Sequence, residues 1–353
     1  MGAGIRCRPL TKAALKSEHP ALPLLFLCLV ALSALTVRFM VRVGALDHPV
    51  ARSSHAVPTP KGGGVGIALA LAAGTAAEIA VHTLPLGTLP PMLAALFLAS
   101  VSYLDDIRPT SFLVKLAAQL AAAAAAVAAG DRLAAIALPA GALHLDPLFG
   151  GLLTIAWLVF VTNAVNFIDG LNGLASGCCA IAAACLGVAA SPPLPGAALP
   201  LVAGIAGFLP FNFPRARIFM GDVGSQLCGF FVADLAVRAA PTRAVLIVPL
   251  ALGPILADVA FTLARRVIAR ARLTEAHRGH LYQVANRAGM NAPVVTILYW
   301  CMSGWACLCG IAIATASNST TADIAWATLA LVPMAAWLGL VAVRARRAGI
   351  TRW

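Results

Sequence analysis

The stretch SYLDDIRPT ends a long apolar run with two adjacent carboxylates, Asp105 and Asp106, in a chain that holds only 13 Asp and Glu among 353 residues. In a helix the two lie about 100° apart, so both border one interfacial cleft but point in different directions. A carboxylate at membrane depth costs roughly 2.5 to 3.5 kcal/mol on insertion scales, and two neighbours repel each other. A divalent cation relieves both penalties. Mg2+ suits the arrangement because it takes one or two carboxylates and completes its shell with water and substrate phosphates. The alternative is a pair of solvated helix-end carboxylates partnered by Arg108.

Four further stretches hold most of the remaining polar chemistry. In DHPVARSSHAVPTPKGGGVG, Lys61 precedes Gly62, Gly63 and Gly64 at the start of an apolar run; glycines there let backbone amides approach an anion, or simply let helices pack closely. NAVNFIDGLNGLASG places Asn163, Asn166, Asp169 and Asn172 three residues apart, near one helical face, where carboxamides and a carboxylate can read the edge of a base or sugar. In PRARIFMGDVGSQ, Asp222 stands just ahead of an apolar run as a candidate metal ligand or a helix cap. AHRGHLYQ crowds His277, Arg278 and His280 into a basic loop that suits a pyrophosphate.

The elements that position these residues are membrane helices. The chain is 61% apolar and 11% charged, with a net charge of +12 and a mean hydropathy of +0.90, against roughly 25% charged residues in soluble domains. About 20 apolar residues make one helical crossing. Runs of that kind lie near 21–43, 62–83, 88–104, 112–130, 147–165, 173–190, 196–213, 223–238, 242–266, 293–315 and 323–343. This predicts an all-α polytopic membrane protein with about 10 to 11 transmembrane helices, organised as a single domain over 21–345. Residues 1–20 are expected to be a disordered extension and 346–353 a basic cytoplasmic tail. The loops after runs one, three, five, seven and nine hold most of the basic residues, with only Arg132, Arg238 and Arg243 and the N-terminal tail opposite. The positive-inside rule makes the richer side cytoplasmic, and the five polar stretches fall on it. The cysteines form no CxxC pair and read as small apolar fillers. A sequon at Asn318 falls on the outer side and reads as chance. No internal repeat supports a transporter.

LDDIR, NAVNFIDGLNGLA, FMGDVGS and HRGHLYQ, in this order and on one membrane face, resemble the polyprenyl-phosphate N-acetylhexosamine-1-phosphate transferases, the glycosyltransferase family 4 enzymes that include MraY and WecA. The likeness extends roughly from Gly44 to Gln283. It implies transfer of a sugar 1-phosphate from a UDP-N-acetyl-aminosugar to undecaprenyl phosphate, with release of UMP and with Mg2+, or Mn2+ in its place, as cofactor. Carried over by position, Asp105 and Asp106 match the aspartate pair implicated in metal binding and acceptor activation, and Asp222 matches the Mg2+ ligand. Asp222 and Asp106 are therefore the expected metal pair. Asn166 and Asp169 match nucleotide-pocket positions, and His277, Arg278 and His280 the loop thought to engage the donor. Lys61, Lys115, Asn163 and Asn172 complete the expected substrate-binding set. Asp258 also resembles a family position, with pairing to Arg265 and Arg266 as the alternative.

Two departures matter. Asn172 stands where many members carry a second aspartate, and HRGH lacks the three-histidine cluster of the peptidoglycan enzyme. The likeness is thus to members that initiate O-antigen or related surface polysaccharides, at the bacterial inner membrane with a cytoplasmic site. Membrane lipids are the expected surroundings, a homodimer is the oligomer allowed for, and nucleic acid is not expected. A phospho-MurNAc-pentapeptide transferase is the nearer alternative. A nucleotide-sugar or ion transporter is the more distant one, disfavoured because transporters place broken helices and charges near the midplane.

Overall fold

The computed structural model describes residues 21–48, 57–108, 110–138, 141–272, 277–315 and 319–350. The expected extension 1–20, the sequon at Asn318 and residues 351–353 of the expected tail lie outside the described residues. All the apolar runs are helical. They form α1 (Ala21–Val43), α2 (Gly64–Ala80), α3 (Leu89–Ile107), α4 (Phe112–Ala128), α5 (Pro147–Ile168), α6 (Leu174–Ala189), α7 (Leu194–Asn212), α8 (Gly221–Ala239), α9 (Ile247–Ala251) with α10 (Gly253–Ile268), and then, after the short α11 (Leu281–Arg287), α12 (Ala292–Thr315) and α13 (Thr320–Arg347). The protein is an all-α polytopic membrane protein. Among the described residues, six helices are long and apolar enough to cross a bilayer, seven if the bent pair α9 and α10 makes one span. The other apolar runs form shorter helices, α2, α4 and α6, or, in α8, a helix that carries Asp222, Asp234 and Arg238.

Helix α8 is the axis of the bundle. It packs against α2, α3, α5 and α6, and every residue from Val223 to Val237 is buried. In a bilayer, a helix that carries Gln226, Asp234 and Arg238 is sheltered from lipid inside the bundle, because polar and charged side chains at membrane depth face the interior. Around it, small residues let the backbones close in, as is usual where lipid tails remove the hydrophobic drive between helices. A Cβ on Gly64 would run into the Gly224 backbone of α8, and one on Gly63 into the Phe208 ring of α7. The Gly63 and Gly64 amides donate to the Phe219 and Met220 carbonyls at 2.9 Å each. The glycine run is therefore a packing joint, and these two amides are spent on protein rather than offered to an anion.

Three features depart from the expected pattern of simple crossings. The run 242–266 breaks between α9 and α10 with a bend of 61°, at Gly253 and Pro254, because proline lacks the donor a continuous helix needs and its ring crowds the preceding turn. The connection before α5 forms a hairpin of β3 (Ala135–Leu138) with β4 (Gly141–His144), far along the bundle from the polar motifs. A shorter pair, β1 (Leu46–Asp47) with β2 (Thr59–Pro60), brings Asp47 beside Lys61. The C-terminal ends of α3, α5 and α7 meet the N-terminal ends of α4, α6 and α8 at the opposite end from the β3–β4 hairpin.

Candidate active site

A cavity of about 580 Å³ opens at that end, lined by Asp47, Lys61, Asp106, Asn166, Asp169, Asn172, Arg215, Asp222 and Gln283 among others. This is within the usual range for a small-molecule site, about 300 to 1,000 Å³. Four carboxylates and two cations thus face one space at the end of an otherwise apolar bundle. The elements responsible are the last turns of α3 and α5 and the first turn of α8, with α11 and the segment after α7 completing the wall.

The two adjacent aspartates are split between two tasks, as their angular separation requires. Asp105 turns toward α4, where its carboxylate accepts from the Thr110 amide at 2.6 Å and hydroxyl at 2.7 Å and pairs with the Lys115 ammonium. It does not line the cavity. Asp106 turns toward α8. Its carboxylate accepts from the Val223 amide in the first turn of that helix, while its Oδ2 is buried without a hydrogen-bond partner. Lys61 Nζ lies 4.0 Å from Asp106 and 3.1 Å from Asp47.

Asp222 is not a cap for its own helix: no side chain caps α8 at its N-cap position. Its Oδ2 accepts from Lys115 Nζ at 2.6 Å and its Oδ1 from Asn166 Nδ2 at 3.0 Å. Lys115 therefore bridges Asp105 and Asp222. Asn166 also donates to Ser225 Oγ at 2.8 Å. Asp169, just past the end of α5, lines the same cavity. Burial first, then the Asp222 and Asp106 carboxylates, hold its carboxyl well above the usual carboxylate range.

The other expected site residues divide. Asn172 lines the cavity wall and donates to the Pro214 carbonyl at 3.1 Å. Asn163 does not reach the cavity: its amide exchanges hydrogen bonds with Gln119, at 2.7 and 3.3 Å, and donates to the Val159 carbonyl at 2.8 Å. Gln119 passes the network on to Gln226 at 3.2 Å. Asn163 is accordingly part of a polar seam among α4, α5 and α8, where each helix-borne amide must find a partner in an apolar setting. None of the HRGH residues lines the main cavity. His277 and Arg278 line a smaller hollow of about 300 Å³ with Arg265, Arg266 and Arg287. His277 Nδ1 accepts from the Gly279 amide at 3.2 Å. Burial, His280 and the arginines lower its pKa to about 4, so the ring is neutral at pH 7. His280 is buried and stacks on His277 with ring centroids 5.0 Å apart.

Asp47, Arg215 and Gln283 are cavity residues that motif reading passed over. Asp47 had a visible signal as an acid opening the Lys61 loop, whereas Arg215 counted only toward membrane orientation. Gln283 closes the AHRGHLYQ stretch, but α11 is too short to show which way that residue faces.

The donor set fits a hard cation. Asp106 offers a buried, unpartnered oxygen, and Asp222 shares the cavity with it; a Cβ on Gly221 would sit 2.6 Å from that Asp106 oxygen, so glycine keeps the approach open. Among the described residues no three His, Cys, Asp or Glu side chains group closely enough to hold an ion by themselves.

The family model of Glycosyl transferase family 4 matches residues 89–240, from α3 through α8, and so covers the aspartate pair, Asn166, Asp169 and Asp222. A Bacillus subtilis relative, named probable undecaprenyl-phosphate N-acetylglucosaminyl 1-phosphate transferase, is 27% identical over 285 residues, 77% of this chain and 78% of that one. The decaprenyl-phosphate N-acetylglucosaminephosphotransferase of Mycobacterium tuberculosis is 32% identical over 257 residues, 64% of each chain. A phospho-N-acetylmuramoyl-pentapeptide-transferase from Moorella thermoacetica is 34% identical over 176 residues, 46% of this chain and 52% of that one.

Proposed function

We propose, for a chain whose residues 89–240 match the family model of glycosyl transferase family 4, transfer of an N-acetylhexosamine 1-phosphate from a UDP-sugar to a polyprenyl phosphate. An oxygen of the acceptor phosphate bonds to the sugar-linked phosphorus of the donor, the bond from that phosphorus to the UMP oxygen breaks, and UMP leaves. The observation that carries this reading is the meeting of Asp106, Asp169 and Asp222 with Lys61 around one open cavity at the end of a membrane bundle. Such a site serves one soluble and one lipid reactant. Both are anions, so the protein must suppress repulsion and hold the reacting groups in line; positioning and electrostatics dominate phosphoryl transfer for that reason.

Asp106 and Asp222 would hold Mg2+, which when bound supplies positive charge to the donor diphosphate. Lys61 adds positive charge from the cavity wall. Lys115 bridges Asp105 and Asp222 and offsets their mutual repulsion, and Asn166 fixes the second oxygen of Asp222. Asp169 and Asn172 form the wall available to the nucleotide. Asp105, already accepting from Thr110 and Lys115, acts here as the anchor for Lys115 rather than as a proton acceptor. A phosphate acceptor is largely ionised at neutral pH and needs little general-base help.

The relatives named for N-acetylglucosamine make UDP-N-acetylglucosamine the first donor to test. The absence of a three-histidine cluster from HRGH weighs against the muramoyl-pentapeptide alternative. Initiation of O-antigen or another surface polysaccharide, with the cavity on the cytoplasmic side of the inner membrane, is the physiological setting this implies. Purified protein is incubated with polyprenyl phosphate and a panel of UDP-N-acetyl sugars, with and without chelator. UMP release that vanishes with EDTA and returns with Mg2+ or Mn2+ is expected; undiminished release in excess EDTA rules the metal out.

A further inference from the structure

Asp258 lies in α10 with its side chain fully buried, and it touches neither cavity. Its carboxylate nevertheless has a full set of donors. Oδ1 accepts from the Leu281 amide at 2.8 Å and Oδ2 from the Tyr282 amide at 3.1 Å. Tyr299 Oη donates to Oδ2 at 2.6 Å, and Trp337 Nε1 donates to that tyrosine oxygen at 3.2 Å. His280 Nδ1 and the Thr262 hydroxyl complete the set at 3.2 and 3.3 Å from Oδ1. One carboxylate on α10 thus ties together the start of α11, α12 and, through Trp337, α13. Amides in the first turn of a helix have no partner within it, and a carboxylate placed there binds them more strongly than a neutral acceptor.

What α11 does with that fixed start is the point. Tyr282 donates from Oη to the Phe167 carbonyl at 3.1 Å, and a Cβ on Gly170 would collide with that hydroxyl. The neighbouring Gln283 lines the main cavity. On the far side of the same turn, Thr296 Oγ1 donates to the Asn172 carbonyl at 3.1 Å and Trp300 Nε1 to the Gly173 carbonyl at 3.0 Å. The turn from Phe167 to Gly173, which carries Asp169 and Asn172, is therefore held between α11 and α12. Asp258 fixes both helices, through the Leu281 and Tyr282 amides on one and Tyr299 on the other.

We propose that Asp258 is a positioning residue for sugar-phosphate transfer, with Tyr299 as its clamp: together they set α11 so that Tyr282 and Gln283 keep Asp169 and Asn172 in place on the donor side of the cavity. This rests on the transferase reading above. Asp258→Asn keeps the volume but turns one acceptor into a donor that faces either Tyr299 and the Tyr282 amide or the Leu281 amide. The expected result is a donor KM at least about tenfold higher, with the acceptor KM within about twofold. Tyr299→Phe shifts donor KM in the same direction by less, and adds nothing in the Asp258→Asn background, because it acts through the carboxylate.

General loss of stability is separated out by Arg243→Gln, which breaks the Arg243 pairing with Asp323 at 2.9 Å at the other end of the bundle. It should lower the thermal midpoint while leaving donor KM unchanged. Hydrogen exchange supplies a readout independent of turnover: in Asp258→Asn, peptides covering 281–287 and 166–173 should exchange faster while 131–138 stays as in the wild type. An unchanged donor KM in Asp258→Asn, equal weakening of donor and acceptor, or faster exchange confined to 281–287 overturns the assignment. Wild-type protein that releases no UMP overturns the reaction, and is recognised before any variant is compared.

Discussion

Replacing Asp222 with asparagine keeps the shape of the side chain and removes its charge. Oδ1 now accepts from Asn166 and Oδ2 from Lys115, at 3.0 and 2.6 Å. An amide has one oxygen, so whichever way it turns, its NH2 group faces a donor. If the oxygen stays with Asn166, the bond to Lys115 is lost, and a hydrogen bond to a charged group contributes about 1.5 to 3 kcal/mol. The Asp222 and Lys115 side chains are 30% and 24% exposed, so water takes back part of this, and the lower end, about 1.5 kcal/mol, is the expected loss of stability. Turnover should suffer more. Losing one electrostatic stabiliser of the transition state costs on the order of 100-fold in rate, about 2.7 kcal/mol. The assay is UMP release at saturating donor over a Mg2+ titration, beside a thermal-inactivation curve in detergent. Turnover within about threefold of wild type at limiting Mg2+ would refute the reasoning, and the metal pair would have to be sought around Asp106 and Asp169.

Gly64→Ala places a methyl group against the Gly224 backbone, so it should destabilise by about 1 to 3 kcal/mol through overpacking and reduce turnover by shifting α8; thermal inactivation unchanged from wild type would show that α2 and α8 do not pack this closely. His277 has a folded pKa near 4, below its ordinary value of 6.5, so the unfolded chain binds the extra proton between those values. Its contribution to stability is thus complete above pH 6.5 and is lost as pH falls toward 4; His277→Gln should flatten the fall of thermal midpoint with acid over that window, and an unaltered slope would contradict the neutral ring. Cysteines introduced at the exposed positions Arg108 and Arg344 should react with an impermeant reagent only from the cytoplasmic side, and one at His144 only from outside, with reactive native cysteines removed; the reverse pattern would invert the orientation.

Charge patterning and hydropathy made the helices legible, because each apolar run is long relative to the polar residues between it and the next. The break at Gly253 and Pro254 was present in the residues but sat within a continuous apolar run, which hydropathy alone cannot divide. Asp106, Asp169 and Asp222 were visible because a carboxylate beside an apolar run is costly, and the cavity brings these three together. Asn163 shares the three-residue spacing of Asn166 and Asp169 yet faces Gln119: such spacing sets a helical face, not which neighbour that face meets. The glycine run after Lys61 was equally readable as an anion cradle or a packing joint, and only the distance to α8 decides for packing. Asp258 showed as an acid in an apolar helix, while its partners Leu281, Tyr282 and Tyr299 lie 23 to 41 residues away, beyond any local pattern. Asn172 departs from the acid usual in the family, and its donor hydrogen bond to the Pro214 carbonyl gives a local reason, since a carboxylate there would face a carbonyl oxygen.

The central claim is that the chain moves a sugar together with its phosphate. It is tested most directly by a donor labelled in the sugar-linked phosphate, incubated with polyprenyl phosphate and Mg2+ and followed into the lipid phase. The label should appear in a polyprenyl-diphosphate sugar in equal amount to the UMP released. Label retained in soluble UDP, or lipid product formed without UMP, would contradict it.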